Sequence, residues 1–402
     1  MKVAEHSDSL FLSAQAQEIL GLHDPVFGKV AIASEAIPPD AILYLRPDDA
    51  SPLPPLSSVS AVICAASDTR VDLLRNTYSG PLIIVEPDIV FTSGDIISVS
   101  LRGRIHRHFR SLSKNNAFLV TEVCNNLCIM CPQPPKPESQ VSHADIERRI
   151  MQTLALIDEE KLPDTLCITG GEPTMLKDGM IRIVEKIAER APQALIHLLT
   201  NGRYFSNEAY TARLSQAANH QLLAGIPLFG HVADIHDYVV QSQGAFDQTL
   251  NGLLNCYKQG INVELRVVLH KTTVEYLAEL AEYITRNLFF VKHVALMGME
   301  NMGLAKLNRD AVFIDPWDYK DILSEAVHRF EQYGIEVRIF NLPLCVVNVD
   351  TQPYCVKSIS DFKNSWHSAC EACSQQQSCC GFFSSSTEKF YLTQHVQPFA
   401  AT

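Results

Sequence analysis

From Ala117 onward the chain alternates short apolar runs with helix-length amphipathic segments, a rhythm that leaves few topologies open. Apolar runs at 117–123, 165–169, 196–199, 221–226, 263–269 and 291–297 read as strands. Between them 145–161, 179–190, 207–218, 245–259 and 273–287 carry apolar residues at a spacing near 3.6 and read as helices. Strands separated by helices predict βα units on a parallel sheet, an α/β fold. Six units in about 180 residues fall short of the roughly 250 of a closed eight-stranded barrel, so a partial (β/α)6 barrel and a doubly wound open sheet both satisfy the pattern. In both, ligands gather at the C-terminal ends of the strands, and that is where the unusual residues of this chain fall.

Three domains are expected. Residues 1–112 form a small mixed or strand-rich domain, with apolar runs at 41–45, 59–64, 81–85 and 96–101 between Pro, Asp, Ser and Gly turns and no chemical motif. The basic stretch Arg102 to Arg110, with His106 and His108, reads as a solvated linker face. Residues 113–315 hold the βα series. Residues 316–402 begin with a helix at 316–333 and a strand at 335–342, and end in a polar, cysteine-rich extension that needs a tie to become ordered.

Charge narrows the partners. With 33 Lys and Arg against 45 Asp and Glu, the net charge is −12 and no basic footprint for nucleic acid or anionic lipid stands out. No stretch reaches 18 apolar residues, and the first twenty carry Glu5, Asp8 and Glu18 where a targeting signal would be basic and then apolar. A cytoplasmic protein, binding neither nucleic acid nor membrane, is expected.

The 12 cysteines fall in clusters. In a reducing compartment clustered thiols serve metals or catalysis more often than cross-links. Cys124, Cys128 and Cys131 sit in a loop directly after the first strand. Three thiolates at these gaps can each take one iron of a cubane and leave the fourth iron for another ligand, an open site of the kind catalysis needs. Structural zinc completed by His106 or His143 is the bland alternative. After the second strand comes Gly170-Gly171-Glu172-Pro173, whose paired glycines and carboxylate suit a primary ammonium, or equally an ordinary turn with Pro173 near a helix start. Arg266 lies inside a strand and needs a partner if buried, either a ligand carboxylate or an internal salt bridge. His236-Asp237 and Met297 to Glu300 also follow strands and are candidates for the cavity wall.

With this loop and turn the sequence resembles the radical S-adenosylmethionine (radical SAM) superfamily, whose hallmark is a Cys-x3-Cys-x2-Cys loop after the first strand of a partial (β/α)6 barrel. The resemblance implies a [4Fe-4S] cluster on Cys124, Cys128 and Cys131, with its open iron chelated by S-adenosylmethionine (SAM). It implies that Gly170, Gly171, Glu172 and Pro173 hold the amino group of SAM and that Thr200 and Asn201 lie near it, with the SAM carboxylate then one candidate partner for Arg266 and an internal salt bridge the other. One-electron cleavage of SAM would then give a 5′-deoxyadenosyl radical that abstracts a substrate hydrogen.

A second group of cysteines crowds the tail. Cys370, Cys373 and Cys379, joined by distant Cys345, complete a four-thiolate shell for a second iron–sulfur cluster; four-thiolate zinc or redox-active thiols are the alternatives. Cys355 is a possible substitute ligand, and Cys380 crowds Cys379. Leu119 to Pro135, Leu199-Thr-Asn-Gly-Arg203 and Ser358-Ile-Ser-Asp-Phe-Lys-Asn364 resemble the His-Xaa-Ser system maturases of that superfamily, the C-type member of the pair. Cys380 departs from them where glycine is expected, and the tail is shorter than the seven-cysteine, two-cluster pattern, which argues for one auxiliary site. The resemblance implies modification of a ribosomally made precursor peptide beside a second radical SAM maturase, with a flavodoxin- or ferredoxin-type electron donor. A small-molecule radical enzyme and a noncatalytic iron–sulfur partner are the competing functions.

Overall fold

The structure, a computed structural model, describes residues 13–47, 49, 51–357, 365–383, 385–386 and 392–400. The chain falls into two compact units, residues 1–118 with 148–164, and residues 119–147 with 165–402. The Ser358 to Asn364 motif lies outside the described residues.

The first unit carries one eight-stranded sheet. Its strands are β1 (Ser13–Gln15), β2 (Glu18–Leu20), β3 (Val26–Ile32), β4 (Ile42–Leu45), β5 (Ala61–Ala65), β6 (Leu82–Val85), β7 (Ile96–Val99) and β8 (Arg104–Phe109), in the order β1-β8-β7-β3-β4-β5-β6-β2. Only Ala16 and Gln17 separate β1 from β2, yet these strands occupy opposite edges. Two residues span no more than about 10 Å, so the edges meet and the sheet rolls up. Ala16 N–H bonds to Gly103 O and Gln17 N–H to Ile84 O, both at 2.8 Å, across the seam. Tyr44, Ile63, Phe91, Val99 and Ile105 fill the interior.

The basic stretch is therefore a strand and not a linker. Alternation in Arg104-Ile-His-Arg-His-Phe109 turns Ile105 and Phe109 into the core, which outweighs the charge of their neighbours. His108 Nε2 lies 2.8 Å from Ser98 Oγ, and burial pushes its pKa down to about 4.

The second sheet comprises β9 (Asn115–Leu119), β10 (Thr165–Thr169), β11 (Leu195–Leu199), β12 (Leu222–Pro227), β13 (Asn262–Leu269), β14 (His293–Gly298), β15 (Glu336–Phe340) and β16 (Cys355–Val356). Spatial order follows chain order throughout, and the pairs from β10 to β16 are parallel. A doubly wound sheet reverses its order at a switch point. A single winding direction puts every right-handed crossover helix on one face, so the sheet curls into a partial barrel with its other face as the lumen.

Apolar faces explain the helices. Asp178–Arg190 buries Met180, Ile181, Ile183, Val184 and Ile187 along one stripe. The expected 273–287 helix is broken at Tyr276 into Lys271–Glu275 and Leu277–Asn287. An extra helix, Ala233–Val240, precedes Ala245–Lys258. No helix among the described residues is long and apolar enough to cross a membrane.

Candidate active site

Loops at the C-terminal ends of the second sheet enclose a cavity of about 360 Å³, lined by Cys124, Cys128, Cys131, Gly170, Gly171, Thr200, Asn201 and Arg266. Met297, Gly298, Met299 and Glu300 line it as well. Glu172, Pro173 and His236 do not line it.

The cysteine loop is pinned from several sides. Leu127 and Ile129 donate backbone N–H bonds to Val240 O and Val239 O at 3.0 Å, at the end of the helix Ala233–Val240. Met130 packs with Phe229, Val239, Met299 and Ala305. Gly303 leaves no room for a side chain, since a Cβ there would stand 2.4 Å from Pro132 O and 2.6 Å from Cys131 O. Arg203 adds a brace not foreseen from sequence: one Nη1 donates to Asn125 O (2.7 Å), Asn126 Oδ1 (2.6 Å) and Ser242 Oγ (2.9 Å). Its place four residues after Leu199, beside the Thr-Asn-Gly turn, was the available signal.

The two glycines are required by chain packing. A Cβ on Gly170 would lie 2.6 Å from Thr121 O, and one on Gly171 2.3 Å from Val123 O. Gly171 and Glu172 donate N–H bonds to those same carbonyls at 2.8 and 2.7 Å. The turn thus clamps the root of the cysteine loop while one side of each glycine faces the cavity.

Glu172 turns inward, contrary to an ammonium-facing role for its carboxylate. It is fully buried and accepts from Thr174 N–H (2.9 Å), Thr174 Oγ1 (2.6 Å), Thr200 Oγ1 (2.6 Å) and Asn201 N–H (2.6 Å). Those four donors occupy it, and a ligand ammonium would have to displace one. Pro173 opens the 3-10 turn Pro173–Leu176, as in an ordinary strand-to-helix connection.

His236 is core, not wall. Its Nδ1 accepts from Phe229 N–H at 3.3 Å, and burial pushes its pKa down to about 4. Asp237 caps the next helix, accepting from Gly244 and Phe246 N–H at 2.6 and 2.8 Å. His143, the proposed zinc partner, lies 2.9 Å from Thr121 Oγ1, and His106 lies on β8 of the first unit.

Burial pushes Cys124 up to about 11 and Cys128 up to about 12, and raises Cys131. Each thiol must therefore shed a proton to bind metal. No group of three or more His, Cys, Asp or Glu side chains among the described residues is gathered tightly enough to hold a single metal ion. A cubane asks for less, since its three thiolates bind three separate irons. The thiols share one wall of a roomy cavity and fit that demand.

In the tail Cys345, Cys370, Cys373 and Cys379 line one small cavity of about 20 Å³. Cys379 Sγ accepts from Leu344 N–H (3.3 Å) and Gly381 N–H (3.4 Å), and Cys373 Sγ from Phe399 N–H (3.4 Å). The Cys380 thiol and these amides hold Cys379 down at about 6 against its burial. Cys355 and Cys380 do not line the cavity. Four thiols are the donor set of a thiolate-bound metal, but as placed they are not gathered tightly enough for a single zinc ion, and a cluster would need the sulfurs to spread from a space about one water across.

The two cavities share chain. Asn341 and Phe383 line the first, while Pro343 to Cys345 and Cys379 to Phe382, apart from Cys380, line the second. The Leu344 to Cys379 bond ties these segments together.

Residues 118–284 match the model of the Radical SAM superfamily. The chain is similar to the Fe-coproporphyrin III synthase of Methanosarcina barkeri, at 25% identity over 252 residues that make up 60% of this chain and 59% of that protein. It is also similar to the GTP 3′,8-cyclase of Haemophilus ducreyi, 34% identical over 115 residues, 28% of this chain and 31% of that one. The chain spans less than two thirds of the length of these relatives. Among solved structures it is similar to Streptococcus suis SuiB bound to S-adenosylmethionine (TM-score 0.46, 14% identity, 65% of this chain and 57% of that one). It is likewise similar to anSMEcpe with bound AdoMet (TM-score 0.48, 14% identity, 70% and 92%).

Proposed function

We propose that this chain is a radical SAM enzyme that modifies a ribosomally made precursor peptide of the His-Xaa-Ser type. The observation that carries the reading is the convergence of Cys124, Cys128 and Cys131 with Gly170, Gly171, Thr200, Asn201 and Arg266 on one cavity at the strand ends of the matched segment. Cys124, Cys128 and Cys131 would hold a [4Fe-4S] cluster, which together with bound SAM would supply reductive cleavage of SAM.

The residues of the chain then have distinct tasks. Cys124, Cys128 and Cys131 hold the cluster. The exposed backbone of Gly170 and Gly171 accepts the SAM ammonium, while Glu172 and Pro173 shape that turn from behind. Thr200 and Asn201 join the SAM wall, and Arg266 offers a guanidinium to a carboxylate. Pinning the loop against Ala233–Val240 and the Met130 cluster keeps the three thiols in place.

Cys345, Cys370, Cys373 and Cys379 hold a second iron–sulfur cluster in this reading. A second radical SAM maturase and a flavodoxin- or ferredoxin-type donor are its partners. The peptide assignment rests on the Leu119 to Pro135 and Leu199 to Arg203 motifs. A small-molecule substrate is the second reading, favoured by the porphyrin and nucleotide enzymes among the relatives.

The test is anaerobic reconstitution with iron and sulfide, followed by assay for 5′-deoxyadenosine with dithionite. Products are then sought with a His-Xaa-Ser peptide and with small-molecule candidates. A modified peptide supports the first reading, and a small-molecule product with an untouched peptide supports the second.

A further inference from the structure

The cavity at the strand ends has two sides. Gly170 and Gly171 follow β10, and Thr200 and Asn201 follow β11, on the side that the cluster and SAM account for. Opposite them, Met299 and Glu300 follow β14, Asn341 follows β15, and Phe383 enters from the tail. Spatial order follows chain order, so β12 and β13 stand between the two groups. Neither the cluster nor SAM gives this far wall a task.

The far wall is closely built. Asn341 has φ +64°, a left-handed conformation that asparagine adopts more readily than most residues. A Cβ on Gly298 would stand 2.6 Å from both Asn341 O and Leu342 Cδ2, so only glycine lets this turn close over the end of β14. Asn341 Nδ2 donates to Gly298 O at 3.3 Å. With Nδ2 turned onto β14, Oδ1 is the amide atom left for a ligand. Glu300 Oε1 accepts from Ser385 Oγ at 3.3 Å, and a carboxylate has about four acceptor sites, so a further donor can be received. Phe383 and Ser385 arrive on one turn, closed by Ser386 N–H on Phe383 O at 2.8 Å.

Chemistry decides what this wall can hold. Around the two oxygen acceptors it is apolar, from Met297, Met299 and Phe383. Among the described residues the one cationic side chain lining the cavity is Arg266, which lies on β13 and pairs with Glu264 at 2.9 Å. A group with an apolar or flat body and an N–H tip matches a ring, two thioethers and two acceptors. Hydrogen bonds to an ionised acceptor are roughly twice as strong as neutral ones. A carboxylate or phosphate would instead stand beside Glu300 with no donor from this wall.

We propose that the far wall is the substrate subsite and takes a basic, N–H-bearing side chain, with Glu300 and Asn341 Oδ1 receiving the N–H groups and Phe383 against the apolar body. The class of group is read from the wall alone. That it belongs to a peptide rests on the maturase reading, in which it is the histidine imidazole of the substrate.

Binding is measured without turnover, on anaerobically reconstituted full-length protein with SAM and no reductant. Fluorescein-labelled peptides of three His-Ala-Ser repeats are compared by anisotropy with peptides carrying Phe or Glu in place of each His. Wild type should hold the His peptide about tenfold tighter than either. The net charge of −12 favours basic peptides anywhere on the surface, so the decisive readout is the response to one residue. Glu300→Lys should reverse the order and prefer the Glu peptide, which a loss of folding cannot produce. Asn341→Gly, which keeps the left-handed backbone and removes Oδ1, should weaken the His peptide severalfold.

Saturation-transfer NMR with 4-methylimidazole and with propionate tests the wall apart from any peptide. Methylimidazole should receive transfer from wild type and lose it in Glu300→Lys, where propionate gains it. If no peptide binds while methylimidazole responds in this way, the peptide reading fails and the subsite stands. Equal affinity of wild type for the His and Glu peptides, or binding of peptide and methylimidazole that Glu300→Lys leaves untouched, overturns the proposal. Failure of the radical SAM reading is seen separately, as absent SAM cleavage by loaded wild-type protein.

Discussion

Thr200 Oγ1 donates a 2.6 Å hydrogen bond to Glu172 Oε1, joining the end of β11 to the turn after β10. With Asn201 N–H at 2.6 Å on Oε2, this one carboxylate fixes the spacing of two loops that wall the cavity.

Removing that carboxylate strands three buried donors and one part-buried one. Each unsatisfied group costs about 1–3 kcal/mol, so Glu172→Ala should lose at least about 3 kcal/mol of stability and most SAM binding. Glu172→Gln, which keeps an acceptor, should lose less of both. Urea midpoints and SAM affinity measured together check this. Wild-type SAM affinity in a destabilised Glu172→Ala would mean that the turn does not shape the cofactor wall.

Arg203 holds the cysteine loop through Asn125 and Asn126. Arg203→Ala should therefore lower iron incorporation at the first site and speed hydrogen exchange across 124–131, while Arg203→Lys, a point charge without the planar fork, should recover only part. Unchanged exchange in Arg203→Ala would remove the bracing role.

Iron content separates the two thiol groups. The triple variant Cys124→Ala, Cys128→Ala, Cys131→Ala should lose about four irons and all SAM cleavage while retaining metal at the tail. The variant Cys370→Ala, Cys373→Ala should keep the first cluster. Complete loss of metal in the first variant would mean that the tail binds none.

His236 makes a pH prediction. It is neutral when folded down to about pH 4, whereas in the unfolded chain it protonates near 6.5. The unfolded state therefore binds more protons between those values, and stability falls as pH falls through that window. Between pH 7 and 5 the group should remove about 2 kcal/mol. His236→Asn, which keeps an acceptor for Phe229 N–H, should show a smaller drop in urea midpoint. An equal drop would place the acid sensitivity in other groups such as His270, held low by burial.

Much of the site was legible because its signals are local. Cys124, Cys128 and Cys131 lie within eight residues, and the Gly170–Gly171 pair follows an unambiguous strand. The inward turn of Glu172 was not legible, because its acceptance from Thr200 and Asn201 spans 28 and 29 residues. The same limit hid Arg203, whose partners lie 77 and 78 residues away. In the fold, β1 and β2 are three residues each, too short for a periodicity, and β8 was masked by its charges. Choosing between a partial barrel and a doubly wound sheet needed strand order, which composition does not encode.

The central claim is radical SAM chemistry at the cavity lined by Cys124, Cys128 and Cys131. Its most direct measurement is 5′-deoxyadenosine formation by anaerobically reconstituted, dithionite-reduced protein incubated with SAM. The account predicts 5′-deoxyadenosine and methionine in equal amounts, abolished in the Cys124→Ala, Cys128→Ala, Cys131→Ala variant. Fully iron-loaded, reduced wild-type protein that leaves SAM intact both with and without peptide would contradict it.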